Sequence, residues 1–354
     1  MKPSHFLKWI FWNKEERRIR ALWRIGLHTL LLAALIATFT LGLVGLRLLS
    51  DLVHGARSMR VSSGQGLTQF LNDPVLQLVI TSLLMGSGIF LSTYLAGRFI
   101  DRRKFSDFGF HFSRAWWTDF IFGLGLGGGL MALIFLAGWL TGNVQVVGFL
   151  KSYTQGLTFP GGFLFALGFF VLVGIYEEVL SRGYHLINLA EGFGHVFPDR
   201  RTALIVALIL SSAVFGLLHG GNPGASWVST LNITLAGIFL GLGMILTGRL
   251  AISIGLHITW NFFQGNIFGF AVSGTRIGGT VLLSESTGPE WLTGGAFGPE
   301  AGVLGLIAMI IGSLLIYFWV NRHGRERLRT ELAEYPVERP QDGQVEEFPN
   351  QAGE

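Results

Sequence analysis

The sequence predicts an all-α fold: a polytopic membrane helical bundle with about eight transmembrane helices. Three observations carry this expectation. Half of the 354 residues are hydrophobic and only 14% are charged, against about 25% charged in soluble domains. The mean hydropathy is +0.51. Eight stretches approach the ~20 apolar residues that a bilayer crossing needs, near 26–49, 76–99, 117–141, 160–182, 202–219, 230–248, 250–271 and 301–320. The 50 glycines suit close helix packing in lipid.

Residues 1–25 read as a basic cytoplasmic N-terminus ending in "KEERRIRALWR". The apolar run after it is longer than the ~7–15 residues of a signal-peptide core, so an uncleaved first span is expected. Residues 26–150 hold the N-terminal transmembrane helices. Their "GLGLGGGL" (123–130) is not a dinucleotide loop, because no strand precedes it and it lies inside a span. Helix packing is the reading there and for "GIFLG" (237–241). Residues 151–272 form the core that carries the polar motifs, and 273–325 an external loop with the last span. The stretch 326–354 is polar, acidic and Pro-containing, as expected of a disordered cytoplasmic tail.

The basic residues test this arrangement. Of 26 Lys and Arg, segments on the N-terminal side of the bundle hold 21 and those on the other side five: Arg47, Arg57, Arg60, Lys151 and Arg276. Both termini are therefore expected in the cytoplasm. The net charge of +4 follows the membrane and is no nucleic-acid signal. Without Cys, disulfides, thiolate metal sites and a Cys nucleophile are excluded.

Polar residues inside apolar spans are costly, about 2.5–3.5 kcal/mol for a mid-bilayer charge, and mark function. The first three spans show no polar set comparable with those that follow. In "VGIYEEVLSRGYHL", Glu178 and Arg182 stand four apart and share a helix face. Glu177 points about 100° away, free to act elsewhere. "FGLLH" places Phe215 and His219 at the end of the next span, before the break "GGNPGASW". "HITWN" sets His257 and Asn261 on one face of another. A carboxylate, two imidazoles and an amide in one cavity are the parts for activating water and holding an oxyanion. Taken singly, each set also reads as a solvated helix end or an interhelical hydrogen bond.

Glu-Glu-x-x-x-Arg, Phe-x-x-x-His and His-x-x-x-Asn on successive spans resemble the pattern of the CPBP intramembrane endopeptidases, which embrace CAAX-processing, bacteriocin-processing and Abi-like proteins. The resemblance covers about 160–270. Ser181 stands where bacterial members often have Phe. The resemblance implies Glu177 as general base, His219 orienting water, and His257 with Asn261 as oxyanion pocket. Glu178, Arg182 and Phe215 would be structural or substrate-positioning. It implies a peptide or protein substrate met at the lipid bilayer, in a bacterial cytoplasmic membrane, and no cofactor. Zinc held by Glu177, His219 and His257 is the alternative. Each His lies on a different helix, unlike the His-Glu-x-x-His arrangement, which favours the metal-free form. The rival functions are a non-catalytic membrane regulator that keeps the pocket, and a transporter. The polar residues crowd into one half of the chain, against the paired repeats of many transporters.

The motifs make one demand on the fold. Read as straight spans, they separate Glu177 from His219 by much of a ~30 Å core. Either the fourth helix runs on past 182 or the fifth begins outside the bilayer.

Overall fold

A computed structural model of the chain describes residues 11–14, 16–58, 74–324 and 328–335. Its main helices are α1 (Ala21–Ser58), α2 (Pro74–Leu95), α3 (Arg114–Leu140), α4 (Phe159–Gly194), α5 (Arg200–Leu218), α6 (Trp227–Thr247), α7 (Ala251–Phe262) and α8 (Val303–Arg322). Polar caps start three of them. Ser113, Asp199 and Ser226 accept backbone N–H groups from the first turns of α3, α5 and α6, groups that would otherwise lack a partner. Gly248, at φ 68°, ends α6 in a left-handed turn.

Among the described residues, seven helices are long and apolar enough to cross a membrane, one fewer than the sequence predicts. The exception is the 250–271 stretch. There α7 has 12 α-helical residues, followed by five π-helical ones from Phe263 to Ile267. It is short of a full span because protein, rather than lipid, encloses it on nearly every face. An apolar run does not reveal which of the two will cover it.

α4 meets the demand made by the motifs. It runs 36 residues without a break, about 54 Å at 1.5 Å per residue. Val179–Leu186 forms a π-helical segment inside it, a local widening frequent at functional sites. Glu177 therefore lies near the middle of the helix.

The glycine stripe of α3 packs on α7. A Cβ added to Gly123 would stand 2.5 Å from the Ile252 carbonyl oxygen, and one on Gly127 would stand 2.8 Å from the Trp260 nitrogen. Only Gly permits that approach, as the packing reading of 123–130 expects. Gly237 likewise packs against Ser212 of α5.

On one face, β1 (Val144–Ser152) and β2 (Gly279–Ser286) pair antiparallel, from Val144 opposite Ser286 to Ser152 opposite Gly279, with an irregularity between Val146 and Gly148. The segment 273–300 is thus a built structure rather than a plain loop. The opposite face is basic and carries the start of α1, the end of α4 and the chain beyond α8. There the Arg18 guanidinium lies 3.6 Å from the centre of the Tyr335 ring, so both ends of the described chain meet on one side. Residues 328–335, assigned to the tail by composition, dock through Leu328, Leu332 and Ala333 on α4, α5 and α6. Residues 336–354 lie outside the described residues, as do 1–10.

Buried charge also gathers on the basic face, beside the first predicted spans rather than inside them. Arg18 and Arg24 donate to Glu191 at 2.5 and 2.7 Å, Arg103 joins them, and Tyr184 donates to Asp101 at 2.8 Å. Arg18 and Arg24 belong to the stretch read as a basic N-terminus. Their partners on distant helices bury them.

Candidate active site

Four helices bring the motif residues together. α4 supplies Glu177, Glu178 and Arg182; α5 ends on Phe215 and His219; α7 supplies His257 and Asn261; α6 supplies the Gly237 carbonyl. Glu177, Phe215, His219, His257 and Asn261 line one cavity of about 190 Å³.

The expected ion pair forms. Arg182 Nη1 donates to Glu178 Oε1 at 2.7 Å, with side-chain exposures of 2% and 0%. Nη2 donates to Gly237 O at 2.9 Å, and the guanidinium lies 4.4 Å from the centre of the Phe215 ring. At such burial an unpaired charge would be costly, so each contact matters.

Glu178 does more than pair. His257 Nδ1 lies 2.8 Å from Glu178 Oε1, while His219 Nδ1 lies 2.8 Å from the Phe215 carbonyl. A carbonyl only accepts, and so does an ionised carboxylate, which places the ring proton of each neutral imidazole on Nδ1. Both Nε2 atoms then point at Glu177. Its Oε2 lies 3.9 Å from His219 Nε2 and 3.8 Å from His257 Nε2, beyond direct hydrogen-bond range. That oxygen makes no hydrogen bond among the described residues.

Sequence reasoning missed the other end of the cavity. Asn222, Ser273, Thr275 and Glu300 also line it. Ser273 is held at φ 46°, a left-handed conformation unusual for a non-Gly residue. Its N–H donates to Glu300 Oε1 at 2.6 Å, and Gln264, one turn past the motif on α7, donates to Oε2. No local pattern marks Glu300, because its partners lie 27 and 36 residues away.

Burial pushes the Glu300 carboxyl up to about 7 from 4.5, against the lowering effect of these hydrogen bonds. The unfolded chain releases this proton near 4.5 and the folded one holds it to about 7. Stability should therefore fall as pH rises through that window, by on the order of 3 kcal/mol. Thermal unfolding in detergent at pH 5 and pH 8 should show the drop, and Glu300→Gln should remove most of it. An equal drop in the variant would assign the effect to other groups.

The fold and the site together define a polytopic membrane protein whose helices gather two carboxylates and two imidazoles around one cavity. In the motif-bearing part, residues 159–263 match the family model described as Rce1-like, type II CAAX prenyl endopeptidase. This segment is thus similar to the CAAX-type membrane proteases, and the resemblance read from the three motifs is borne out. No curated protein and no solved structure matches.

Proposed function

We propose that the protein is an intramembrane endopeptidase in which Glu177 activates water against a peptide bond. The observation that carries this is the convergence of Glu177 Oε2 with two imidazole Nε2 atoms, 3.8 and 3.9 Å away, at the wall of the cavity. Three acceptors around one point call for a small donor. A water bridging Glu177 and an imidazole suits separations too long for direct bonds.

The chemistry follows from the assignments. The water oxygen attacks the carbonyl carbon while its proton passes to Glu177, which later gives it to the departing amine nitrogen. The carbonyl oxygen becomes an oxyanion. Asn261, one turn from His257 on the cavity wall, has side-chain N–H groups to hold it. His257 turns Nδ1 to Glu178 and Nε2 toward Glu177, so Nε2 serves the water side. Phe215 and Arg182 keep both rings in place.

Zinc on Glu177, His219 and His257 is the rival reading. Donors around a tetrahedral zinc with ~2.0–2.1 Å bonds stand ~3.3–3.4 Å apart, closer than the separations here. Among the described residues, no group of three His, Cys, Asp or Glu side chains forms a metal-holding set. The spacing fits a shared water better.

Comparative membrane proteomics of cells carrying the wild type or Glu177→Ala tests the proposal. A precursor should accumulate with the variant. An unchanged proteome would favour a non-catalytic regulator that keeps the pocket. Processing of that precursor by the purified protein should survive thorough chelation. Loss of activity restored by added zinc would overturn the metal-free reading.

A further inference from the structure

The cavity has a direction. Its catalytic end is formed by Glu177, His219, His257 and Asn261. His219 closes a helix that starts on the basic face, about 28 Å away by helix rise. The other end is lined by Asn222 and by Ser273, Thr275 and Glu300, which belong to the connections α5–α6 and α7–α8. Both connections lie on the face away from the basic one. Thr275 there is exposed, while Asn222 is half-buried like Glu177, His219 and Asn261, and His257 is buried.

Toward the basic face the structure is closed. The next turns of α4 place Val179 and Tyr184 at 0% exposure, packed with Phe108, Met244 and Leu250, also at 0%, and Leu186, at 0% too, packs with Leu204, Leu208 and Ile245. The Glu178–Arg182 pair fills the remaining space. No cavity lining comes from that side.

Charge assigns the two faces. Arg182 is buried in the site, so it leaves the count of 21 flanking cations, and 20 remain against five. Such a bias places the basic face in the cytoplasm.

We infer that the scissile segment is delivered from the non-cytoplasmic face, as an extended stretch of an exported or membrane-anchored polypeptide. The inference rests on the protease reading for what is cleaved, but not for the direction of access. The walls around the polar end are apolar and aromatic, including Phe170, Ile233, Phe239 and Trp260. Residues flanking the bond are therefore apolar. At about 190 Å³ the cavity is below the ~300–1,000 Å³ usual for ligand pockets. It takes a short unfolded stretch and not a folded domain.

The chain has no Cys, so single cysteines report without background. Ser286→Cys, exposed on β2, and Lys104→Cys, exposed on the basic face, mark the two sides. Thr275→Cys reports the mouth. Glu177→Cys and, as a second variant in case the first misfolds, His219→Cys report the floor. The probe is a small, membrane-impermeant anionic methanethiosulfonate, applied to intact cells and to inverted vesicles. Mouth, floor and Ser286→Cys should react in intact cells, and Lys104→Cys only in inverted vesicles.

Floor labelling only in inverted vesicles would overturn the inference, as would unreactive floor cysteines beside a reactive Thr275→Cys. So would Ser286→Cys reacting only from the inside. Labelling needs no turnover. An unchanged Glu177→Ala proteome with outside labelling would sink the protease reading and leave the access route standing.

Discussion

Glu177→Gln should lower cleavage at least ~10²-fold, the lower end for loss of a general base, while leaving the fold intact. Glu177 Oε2 has no hydrogen-bond partner among the described residues, so an amide there strands none of them. It keeps the shape and cannot take a proton. The melting temperature in detergent should stay near that of the wild type while the initial rate on the accumulated precursor falls. Asn261→Ala should lower turnover by up to ~10²–10³-fold, as loss of an oxyanion donor does, with substrate binding spared. A Glu177→Gln protein that cleaves at the wild-type rate would remove Glu177 from its role, with or without a metal.

The second large effect concerns stability. Arg182→Ala strands Glu178 at 0% exposure, and breaking such a pair costs about 3–5 kcal/mol. It also frees the Gly237 carbonyl and uncovers Phe215. Folded yield and melting temperature should both drop. The double change Glu178→Gln with Arg182→Met should recover much of that loss, because an uncharged replacement removes the stranded charge. Activity should recover less than stability, since a neutral amide holds the His257 Nδ1–H more weakly than a carboxylate does. An unchanged melting temperature for Arg182→Ala would show a solvated Arg182 and no buried pair.

These expectations divide what was legible in the sequence from what was not. The Glu178–Arg182 pair was readable because four residues make one turn. The grouping of Glu177, His219, His257 and Asn261 was readable because each set sat at helical spacing in an apolar run. The bond from His257 to Glu178 spans 79 residues, and no local periodicity encodes it. Glu300 was hidden for the same reason, in a stretch that read as loop. The Arg18–Glu191 pair spans 173 residues. A cation at the edge of a span looks solvated until the fold brings a carboxylate to it. The length of α7 was misjudged because lipid and protein interior select the same side chains.

The glycine seam between α3 and α7 bears on where the working unit begins and ends. The family match starts at 159, after α3 has ended, yet α7 lies against Gly123 and Gly127 with no room for another side chain. Gly255 answers from α7, facing the backbone at Leu124. The part that resembles known proteases is therefore not a cassette. Transplanting 159–263 into a relative, or replacing it with a relative's, would set α7 against a foreign α3. Unless that partner also offered bare backbone at the two matching points, His257 and Asn261 would be carried out of register with Glu177.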